Sequence, residues 1–257
     1  MIELDIVIPV YNEGGNIISV MESFRIHVKT PYRVLICYDM DEDDTLTALS
    51  NYPRDHAEIV YVKNSHTGPN MAVVAGLEAS NAPYNLVYMA DDDFNANLID
   101  LMVQKMKEGF DIVSSSRWID GGCYQGAPWI KHAITRTASY TAFLIGGLKI
   151  HDATQAFRLF SRRVIDNIEI TSTKGLSFTF ELLAKVNRLG WPVCEIAAPW
   201  YERKIGESRF KYFKWIWPYL EWWLYSLRTV WLRRGPKSVK LKNGHVLSIH
   251  NENSNSK

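Results

Sequence analysis

Three aspartates in a row, Asp91 to Asp93, lie in the stretch YMADDDFN (residues 88–95). This stretch directly follows the apolar pair Leu86-Val87. Like charges this close repel one another, and a partly buried carboxylate loses hydration, so the stretch predicts a bound cation. If the strand continues through the aspartates, residues i and i+2 point to the same side, and Asp91 and Asp93 can share one hard divalent ion. Magnesium takes one or two protein carboxylates and completes its shell with water and substrate phosphates. The pattern therefore predicts a metal–diphosphate site, with Asp92 on the opposite side supporting the loop.

A second acidic segment, residues 39–44, places oxygen ligands at alternate positions, as a calcium-binding loop does. Such a loop needs a glycine at its sixth position and a glutamate at its twelfth. Counted from Asp39, those positions hold Asp44 and Ser50. The calcium-loop interpretation therefore fails.

Short β-branched runs alternate with helical patterns over the first 116 residues, which is typical of parallel βαβ units with helices on both faces of a sheet. The predicted strands are Leu4–Ile8, Arg33–Cys37, Glu58–Val62, Asn85–Met89 and Asp111–Ser115, with helices near 15–28, 43–50, 69–80 and 97–108. Ligands of such sheets bind beyond the carboxyl ends of the strands. Three strands end in polar or acidic clusters, which begin at Asn12, Asp39 and Asp91. A parallel sheet would bring these clusters together at one edge.

The pattern changes after Arg117. Residues 117–128 are rich in glycine and turn formers and predict a loop able to move. The remaining predicted elements are a helix near 129–146, a short strand after 152–158, a helix near 178–189 and a strand at Val193–Ala197.

Composition limits the class of protein. The 257 residues, 47% of them hydrophobic, are enough for one large α/β domain or one domain with an appendage. A net charge of +1 gives no indication of nucleic-acid binding, and three widely spaced cysteines predict buried thiols in a reducing compartment. The N-terminus shows no secretory signal pattern, and no apolar run approaches the roughly 18 residues of a spanning helix. A cytosolic protein, able to touch a membrane peripherally, is expected.

Residues 200–234 stand apart because they hold six of the nine tryptophans and eight Lys or Arg. On a helical wheel, one face carries Phe213, Trp217, Leu220, Leu224, Leu227 and Trp231, and another carries Lys211, Lys214, Glu221 and Arg228. Two interpretations stay open and can both hold: a helix packed on the main domain, or a helix at a membrane interface. Pro218 is expected to kink or split it. The predicted amphipathic segment is 211–236, followed by a polar tail at 237–257.

A series of motifs runs in a fixed order through residues 3–210. It comprises Ile8-Pro-Val-Tyr-Asn-Glu13, the acidic segment after the second strand, Asp91-Asp-Asp93, Ser115-Ser-Arg117, Asp152-Ala-Thr-Gln-Ala-Phe-Arg158, Phe180-Glu-Leu-Leu183 and Arg203-Lys-Ile-Gly-Glu-Ser-Arg209. The series resembles glycosyltransferase family 2 and is most similar to the dolichyl-phosphate mannose synthase branch and its bacterial polyprenyl-phosphate relatives. The resemblance implies a GT-A fold over residues 1–210, with a mixed, mostly parallel sheet and helices on both faces. It further implies a nucleotide-sugar-binding half, 1–116, and an acceptor-binding half, 117–210.

The resemblance implies a donor site for a GDP- or UDP-linked hexose. Its expected residues are Pro9, Tyr11, Glu13 and Asp39 around the nucleoside, Asp91 and Asp92 at the diphosphate, and Asp152 and Gln155 near the sugar. Asp91 and Asp93 would hold Mg²⁺ or Mn²⁺, with Asn95 as a further contact. Tyr38-Asp39-Met40-Asp41 departs from the usual Asp-Asp-Gly-Ser of the family, which leaves the base preference open.

On the acceptor side, the resemblance implies a cluster of cations that receives a lipid phosphate. The expected residues are Arg117, Lys131, Arg136 and Arg203, with Ser208 and Arg209 nearby, and the first four join Asp93 as the expected catalytic set. A lipid phosphate is already anionic, so it needs cations to position it rather than a strong base. Any single arginine could instead brace a loop through a salt bridge. Asp152 could act as a base toward a hydroxyl acceptor, or could brace Arg158.

The implied function is inverting, metal-dependent transfer of a hexose from a nucleotide sugar to a polyprenyl phosphate at the cytosolic face of a membrane. Two alternatives stay open: the same donor chemistry with a glycan hydroxyl acceptor, and a non-catalytic nucleotide- or carbohydrate-binding module. A nucleotidyltransferase is disfavoured because its glycine-rich, arginine-containing first loop is replaced by Pro9-Val-Tyr-Asn-Glu13. A Rossmann dehydrogenase is excluded because no Gly-X-Gly-X-X-Gly follows any predicted strand. The oligomeric state is open.

Overall fold

The computed structural model of the chain describes residues 1–53, 56–201 and 212–242, and for 212–215 it describes the backbone alone. Three predicted acceptor residues, Arg203, Ser208 and Arg209, lie outside the described residues, as do Lys211 and the tail from residue 243.

Within the described ranges, nine strands form two sheets. They are β1 (Leu4–Pro9), β2 (Tyr32–Tyr38), β3 (Glu58–Lys63), β4 (Tyr84–Val87), β5 (Ile112–Ser116), β6 (Cys123–Gln125), β7 (Arg158–Ser161), β8 (Val193–Ala197) and β9 (Pro199–Tyr201). The large sheet has the order β3-β2-β1-β4-β7-β5-β8, in which β7 alone runs antiparallel to its neighbours. The predicted mixed, mostly parallel sheet is therefore confirmed.

The described residues also form eight α-helices. They are α1 (Ile17–His27), α2 (Asp44–Ser50), α3 (Pro69–Ala79), α4 (Ile99–Lys107), α5 (Trp129–Leu144), α6 (Arg162–Asn167), α7 (Phe178–Leu189) and α8 (Tyr212–Trp231). Local sequence sets several of their ends. The side chain of Asp43 caps α2, Pro69 occupies the first turn of α3, and Gly190 ends α7 in the left-handed conformation.

The core consists of two apolar clusters, one on each face of the large sheet. Alternation along β1 assigns its side chains, since Val7 belongs to one cluster and Ile6 and Ile8 belong to the other. Helices α3, α7 and α8 pack over the first cluster, and α1 and α4 pack over the second. Helices therefore cover both faces, as predicted.

Two local predictions need correction. Strand β4 ends at Val87, and Ala90 and Asp91 form a turn, so the strand does not continue through the three aspartates. Tyr88 and Met89 continue the apolar pattern of the strand although strand pairing has stopped. The strand was therefore predicted to be longer than it is. The predicted loop at 117–128 contains β6, which pairs in parallel with β9. A three-residue strand is too short to leave a periodic signal.

Helix α8 runs unbroken through Pro218, so the expected split does not occur. One side of the helix packs on the domain: Trp222 is 5% exposed and Ser226 is 1% exposed. The apolar face identified on the helical wheel lies mostly on another side, where Trp217 is 72% exposed and Trp231 is 70% exposed. Packing of the later turns offsets the hydrogen bond that proline removes. Among the described residues, no helix combines the length and apolarity needed to cross a membrane.

Candidate active site

A cleft of about 1920 Å³ opens at the carboxyl edge of the large sheet. The turn after β1, the segment after β2 and the turn after β4 all contribute to its wall, through Asn12, Asp39 and Asp91. The predicted meeting of these three strand ends is therefore confirmed.

The acidic segment holds the turn after β1 through backbone hydrogen bonds. The donor–acceptor pairs are Asn12 N–Asp43 Oδ2 (3.1 Å), Glu13 N–Thr45 Oγ1 (2.9 Å) and Gly14 N–Asp44 Oδ1 (2.8 Å). Asn12 has a φ of 53°, a left-handed conformation that asparagine tolerates better than most residues. Three successive N–H groups thus point at the start of α2. Asp43 and Asp44 therefore shape the cleft wall rather than mark a calcium loop.

Asp39 organises the opposite wall of the cleft. One of its carboxylate oxygens accepts a hydrogen bond from Asn64 Nδ2 (2.8 Å), and the other accepts one from the Gly68 N–H (2.7 Å). A carboxylate has about four acceptor sites, so both oxygens keep capacity for a ligand. Because Asp39 also lines the cleft, it can fix the loop before α3 and face a nucleoside at the same time.

The three consecutive aspartates have three different environments. Asp91 lines the cleft, Asp93 is exposed, and Asp92 is buried. Asp92 accepts hydrogen bonds from the Asn95 N–H (3.1 Å) and Nδ2 (2.8 Å), and the same amide donates to the Pro199 carbonyl (3.1 Å). Burial raises the pKa of Asp92 to about 6, against the opposing effect of the Asn95 hydrogen bonds. Asp92 and Asn95 therefore lie behind the cleft wall and tie this turn to β9.

The residues around Asp91 fit a divalent ion that also binds a phosphate. Within the described residues, no group of three or more Asp, Glu, His or Cys side chains is placed to hold a metal by itself. Two carboxylates completed by substrate oxygens are, however, the usual protein contribution to a magnesium site. Asn95 Oδ1 is a buried acceptor with no hydrogen-bond donor in the described part of the chain. The protein ligands for a metal are thus incomplete by themselves, and they are chemically suited to Mg²⁺ or Mn²⁺ together with a diphosphate.

Arg117 and Asp152 form a buried ion pair beneath the cleft. Arg117 Nε donates to Asp152 Oδ2 (2.7 Å) and Nη2 donates to Oδ1 (2.8 Å), while Nη2 also reaches Thr154 Oγ1 (2.7 Å). Burial disfavours the charged carboxylate, but the charge and hydrogen bonds of Arg117 outweigh this and lower the pKa of Asp152. A carboxylate held in this way is a weak proton acceptor. Arg158 donates to the Asp152 carbonyl instead (3.1 Å), so it does not compete for the side chain.

Three aromatic rings hold the predicted acceptor cations. Arg117 Cζ lies 4.7 Å from the centroid of the Tyr124 ring, and Lys131 Nζ lies 4.4 Å from that of Trp200. Trp118 contacts two guanidinium groups, those of Arg117 (5.1 Å) and Arg136 (4.8 Å). Such cation–π contacts let several like charges gather at the cleft before an anion arrives.

Beyond these cations, the cleft continues as a groove between α5 and α8. Its α5 wall includes Ile134, Ala138 and Thr141, and its α8 wall includes Ile216, Tyr219, Leu220 and Trp223. The α5 lining also includes Ala133, Thr135 and Thr137, so the groove carries four hydroxyls and one indole N–H among otherwise apolar side chains. The cleft therefore joins a polar, charged half to an apolar half.

The structure separates the predicted site residues into three groups. Pro9, Tyr11, Glu13, Asp39, Asp91, Arg117, Lys131 and Gln155 line the cleft; Asp92, Asp93, Asn95, Arg136 and Asp152 lie beside or behind it; and Arg203, Ser208 and Arg209 lie outside the described residues. Sequence reasoning missed Thr154, Tyr124, Trp200, Tyr219 and Trp223, which also line it. For Trp200, Tyr219 and Trp223, the density of aromatic residues near the C-terminus was the available signal, but it did not indicate which rings turn inward.

Comparisons with known proteins identify the family of the chain. The sequence model of the family described as "Glycosyl transferase family 2" matches residues 5–169. Polyprenol monophosphomannose synthase from Mycolicibacterium smegmatis is 26% identical over 214 residues, which are 79% of this chain and 79% of that protein. An uncharacterized glycosyltransferase from Synechocystis is 30% identical over 173 residues, covering 65% of this chain and 53% of the relative.

A solved structure supports the fold. Glucosyl-3-phosphoglycerate synthase from Mycobacterium tuberculosis, in complex with Mn²⁺, UDP-glucose and phosphoglyceric acid, superposes with a TM-score of 0.65 at 16% identity. The match covers 88% of this chain and 79% of that one. Fold and cleft together define a glycosyltransferase with the GT-A fold. The family match, which spans more than half of the chain, makes the protein a member of glycosyl transferase family 2. Both the predicted family and the predicted enzyme class are confirmed, and the mannose synthase relative agrees with the predicted branch.

Proposed function

We propose that the protein transfers a hexose from a GDP- or UDP-linked donor to a polyprenyl phosphate. The observation that carries this proposal is the two-part cleft, in which a polar donor edge passes through a cluster of cations into an apolar groove. A phosphate with a long hydrocarbon chain is complementary to that order of surfaces. A small hydrophilic acceptor would leave the groove between α5 and α8 without a partner.

The donor diphosphate belongs at the strand ends. Asp91 and Asp93 would hold Mg²⁺ or Mn²⁺ there, and the ion would neutralise charge that develops on the leaving nucleoside diphosphate. The turn at Pro9–Glu13 and the Asp39 carboxylate would receive the nucleoside, since they form the two walls of this end of the cleft. Asp152, which is 0% exposed and paired with Arg117, positions that arginine rather than contacting the sugar itself.

Arg117 and Lys131, which line the cleft, would position the acceptor phosphate. Arg136 lies beside the cleft, against the Trp118 ring, and would add to the positive charge. Their charge lessens repulsion between the acceptor and the donor diphosphate. A phosphate oxygen then attacks the anomeric carbon in line as the bond to the diphosphate oxygen breaks, and the electron pair leaves with the nucleoside diphosphate. The configuration at the anomeric carbon inverts. No proton has to be removed, which suits a site whose buried carboxylate is already neutralised by arginine.

We place the enzyme peripherally on the cytosolic face of a membrane. Large apolar side chains are exposed along α5 and α8, among them Trp129, Ile130, Leu144, Trp217, Trp231 and Leu232. Exposed cations follow at Arg228, Arg233, Arg234 and Lys237. Tryptophan favours the headgroup region and arginine favours anionic lipid, so this surface complements a negatively charged membrane. Sedimentation with anionic vesicles, lost on converting Trp217 and Trp231 to serine, would support the placement.

Transfer of labelled sugar into organic-extractable lipid tests the function directly. Purified enzyme is given a panel of nucleotide sugars, polyprenyl phosphate and Mg²⁺ or Mn²⁺. Lipid-linked product from one donor, abolished by EDTA, is expected. Product on a hydroxyl acceptor alone would contradict the lipid-phosphate proposal, and metal-independent transfer would contradict the metal assignment.

Asp93→Asn gives the matched test of the metal residues. Asp93 is exposed, so the substitution should leave stability unchanged while lowering metal-dependent transfer by about a hundredfold or more. Asp166→Asn is the control, because Asp166 is also exposed but pairs with Arg162 on α6. Near-normal transfer by Asp93→Asn would show that another residue holds the metal.

A further inference from the structure

The groove between α5 and α8 has walls with matching sequence spacing. Ile134, Ala138 and Thr141 follow one another at four and three residues along α5, and Ile216, Leu220 and Trp223 do the same along α8. This spacing keeps each set on one face of its helix. The last lining residue of α5 is Thr141 and the last of α8 is Trp223. The groove therefore ends at the same level on both helices.

A hydrogen bond joins the two helices at that level. Trp223 Nε1 donates to Thr141 Oγ1 at 2.9 Å, and the Thr141 hydroxyl donates in turn to the Thr137 carbonyl at 2.7 Å. The second bond fixes the hydroxyl proton, so a lone pair of Oγ1 is turned toward the indole. Both polar groups are thus satisfied inside an apolar groove, and the large indole ring is locked across it.

Past this bridge the segment that follows α5 comes into direct contact with α8. A Cβ on Gly146 would lie 3.2 Å from Ser226 Cβ, and a Cβ on Gly147 would lie 2.6 Å from Val230 Cγ2. Trp231 Nε1 donates to the Ile145 carbonyl at 3.2 Å. The two glycines permit this close approach, because a Cβ at either position would meet a side chain of α8. The groove is therefore a wedge, open near Lys131 and closed beyond Thr141.

We propose that the Trp223–Thr141 bridge is a specificity determinant that sets how much of the acceptor chain the enzyme covers. The proposal rests on the polyprenyl phosphate acceptor proposed above. From Lys131 to Thr141 the groove runs about 15 Å at 1.5 Å per helical residue. Only the first few isoprene units next to the phosphate fit this length, and the bridge turns the rest of the chain out toward the exposed apolar side of α5 and α8.

Acceptors of graded length test this inference. kcat/KM is measured in detergent for polyprenyl phosphates from two isoprene units upward. For the wild type it should rise with each unit the groove covers, by about tenfold or more in total, and then level off. Trp223→Ala should move this plateau to longer acceptors by removing the stop. Ala138→Phe should move it to shorter acceptors by filling the groove ahead of the stop.

Tyr225→Ala is the matched control. It removes an aromatic ring of the same helix that contacts the Arg188 guanidinium at 3.3 Å and does not line the cleft, so the plateau should stay in place. A plateau that also stays in place in both Trp223→Ala and Ala138→Phe overturns the inference, as does wild-type transfer that is independent of chain length. If Trp223→Ala fails to fold, the Ala138→Phe variant tests the inference by itself. Ala138 is only partly buried on the α5 surface, so this variant is expected to fold. Absence of transfer to every polyprenyl phosphate would instead refute the proposed function.

Discussion

Two buried ion pairs of the same type lie at opposite ends of this molecule. At the amino end of the sheet, Arg33 donates to both oxygens of Asp5, each at 2.8 Å. At the carboxyl edge, Arg117 donates to both oxygens of Asp152, at 2.7 and 2.8 Å. Both aspartates are 0% exposed. Hydrogen-bond geometry and the burial of the aspartates do not distinguish the two pairs.

Their surroundings differ. Asp5 also accepts hydrogen bonds from Ser80 Oγ (2.7 Å) and from the Asn81 and Ala82 N–H groups (3.2 Å each), so the pair ties the turn after α3 to β1. Arg117 instead has aromatic rings against its guanidinium and lines the cleft. A buried Arg–Asp pair is therefore not evidence of function in itself. What distinguishes the second pair is that its arginine faces a cleft that Lys131 also lines.

Removal of one partner should give the largest effect. Arg117→Ala is expected to lower transfer to acceptor by about a hundredfold or more and to lower the free energy of unfolding by about 3–5 kcal/mol, because Asp152 would be left charged and buried. Donor binding should persist. Arg33→Ala should destabilise the fold but keep transfer within a few-fold where it is folded. Urea unfolding and the transfer assay check both variants; transfer surviving in Arg117→Ala would contradict the assigned role.

Replacement of both partners separates stability from activity. Arg117→Met with Asp152→Leu, and Arg33→Met with Asp5→Leu, should each recover much of the stability lost in the single variants, because no uncompensated charge remains. Transfer should stay near normal in the Arg33/Asp5 double variant and remain lost in the Arg117/Asp152 double variant. Urea midpoints and kcat/KM are the measurements, and recovery of transfer by the first double variant would show that Arg117 acts only through the fold.

Acid should affect the two pairs alike. For each aspartate burial opposes the charged form, but its arginine partner and other hydrogen bonds outweigh this and lower the pKa in the folded state. As the pH falls below about 4, the unfolded chain therefore takes up these protons first, and the stability supplied by each pair is lost as the pH falls through the folded pKa. Asp5→Asn and Asp152→Asn should each flatten the loss of urea stability in this range. An unchanged acid slope in either variant would argue against a lowered pKa there.

Loss of one aromatic ring should give the smallest effect. Trp118→Leu removes a ring that contacts both Arg117 and Arg136, and the KM for acceptor should rise about three- to tenfold with little change in the KM for donor. Trp191→Leu is the control, because its ring holds Arg163 at 3.8 Å away from the cleft. Titration of each variant with acceptor at saturating donor checks the difference; equal shifts in both would show a general loss of stability.

The sequence predicted most of the architecture because local patterns carry that information. Alternating apolar runs predicted the parallel strands, and the carboxyl-edge rule predicted that Asn12, Asp39 and Asp91 lie together. The strand predictions were wrong where the local apolar pattern and the actual pairing of strands differ. Tyr88 and Met89 continue an apolar run past the end of β4, and β6 is too short to be periodic.

Only the tertiary structure decided which charges are paired and which face the cleft. Asp152 lies 35 residues from Arg117, and nothing local favours that arginine over Arg158 as its partner. The sequence predicted α8 as a segment appended to the domain, but its residues Tyr219 and Trp223 form part of the cleft wall. Helical spacing shows which residues share a face, but the neighbour that a face meets depends on how the whole chain packs. Residue types and order thus fixed the chemistry available to this enzyme, and long-range packing fixed which of those groups can reach a substrate.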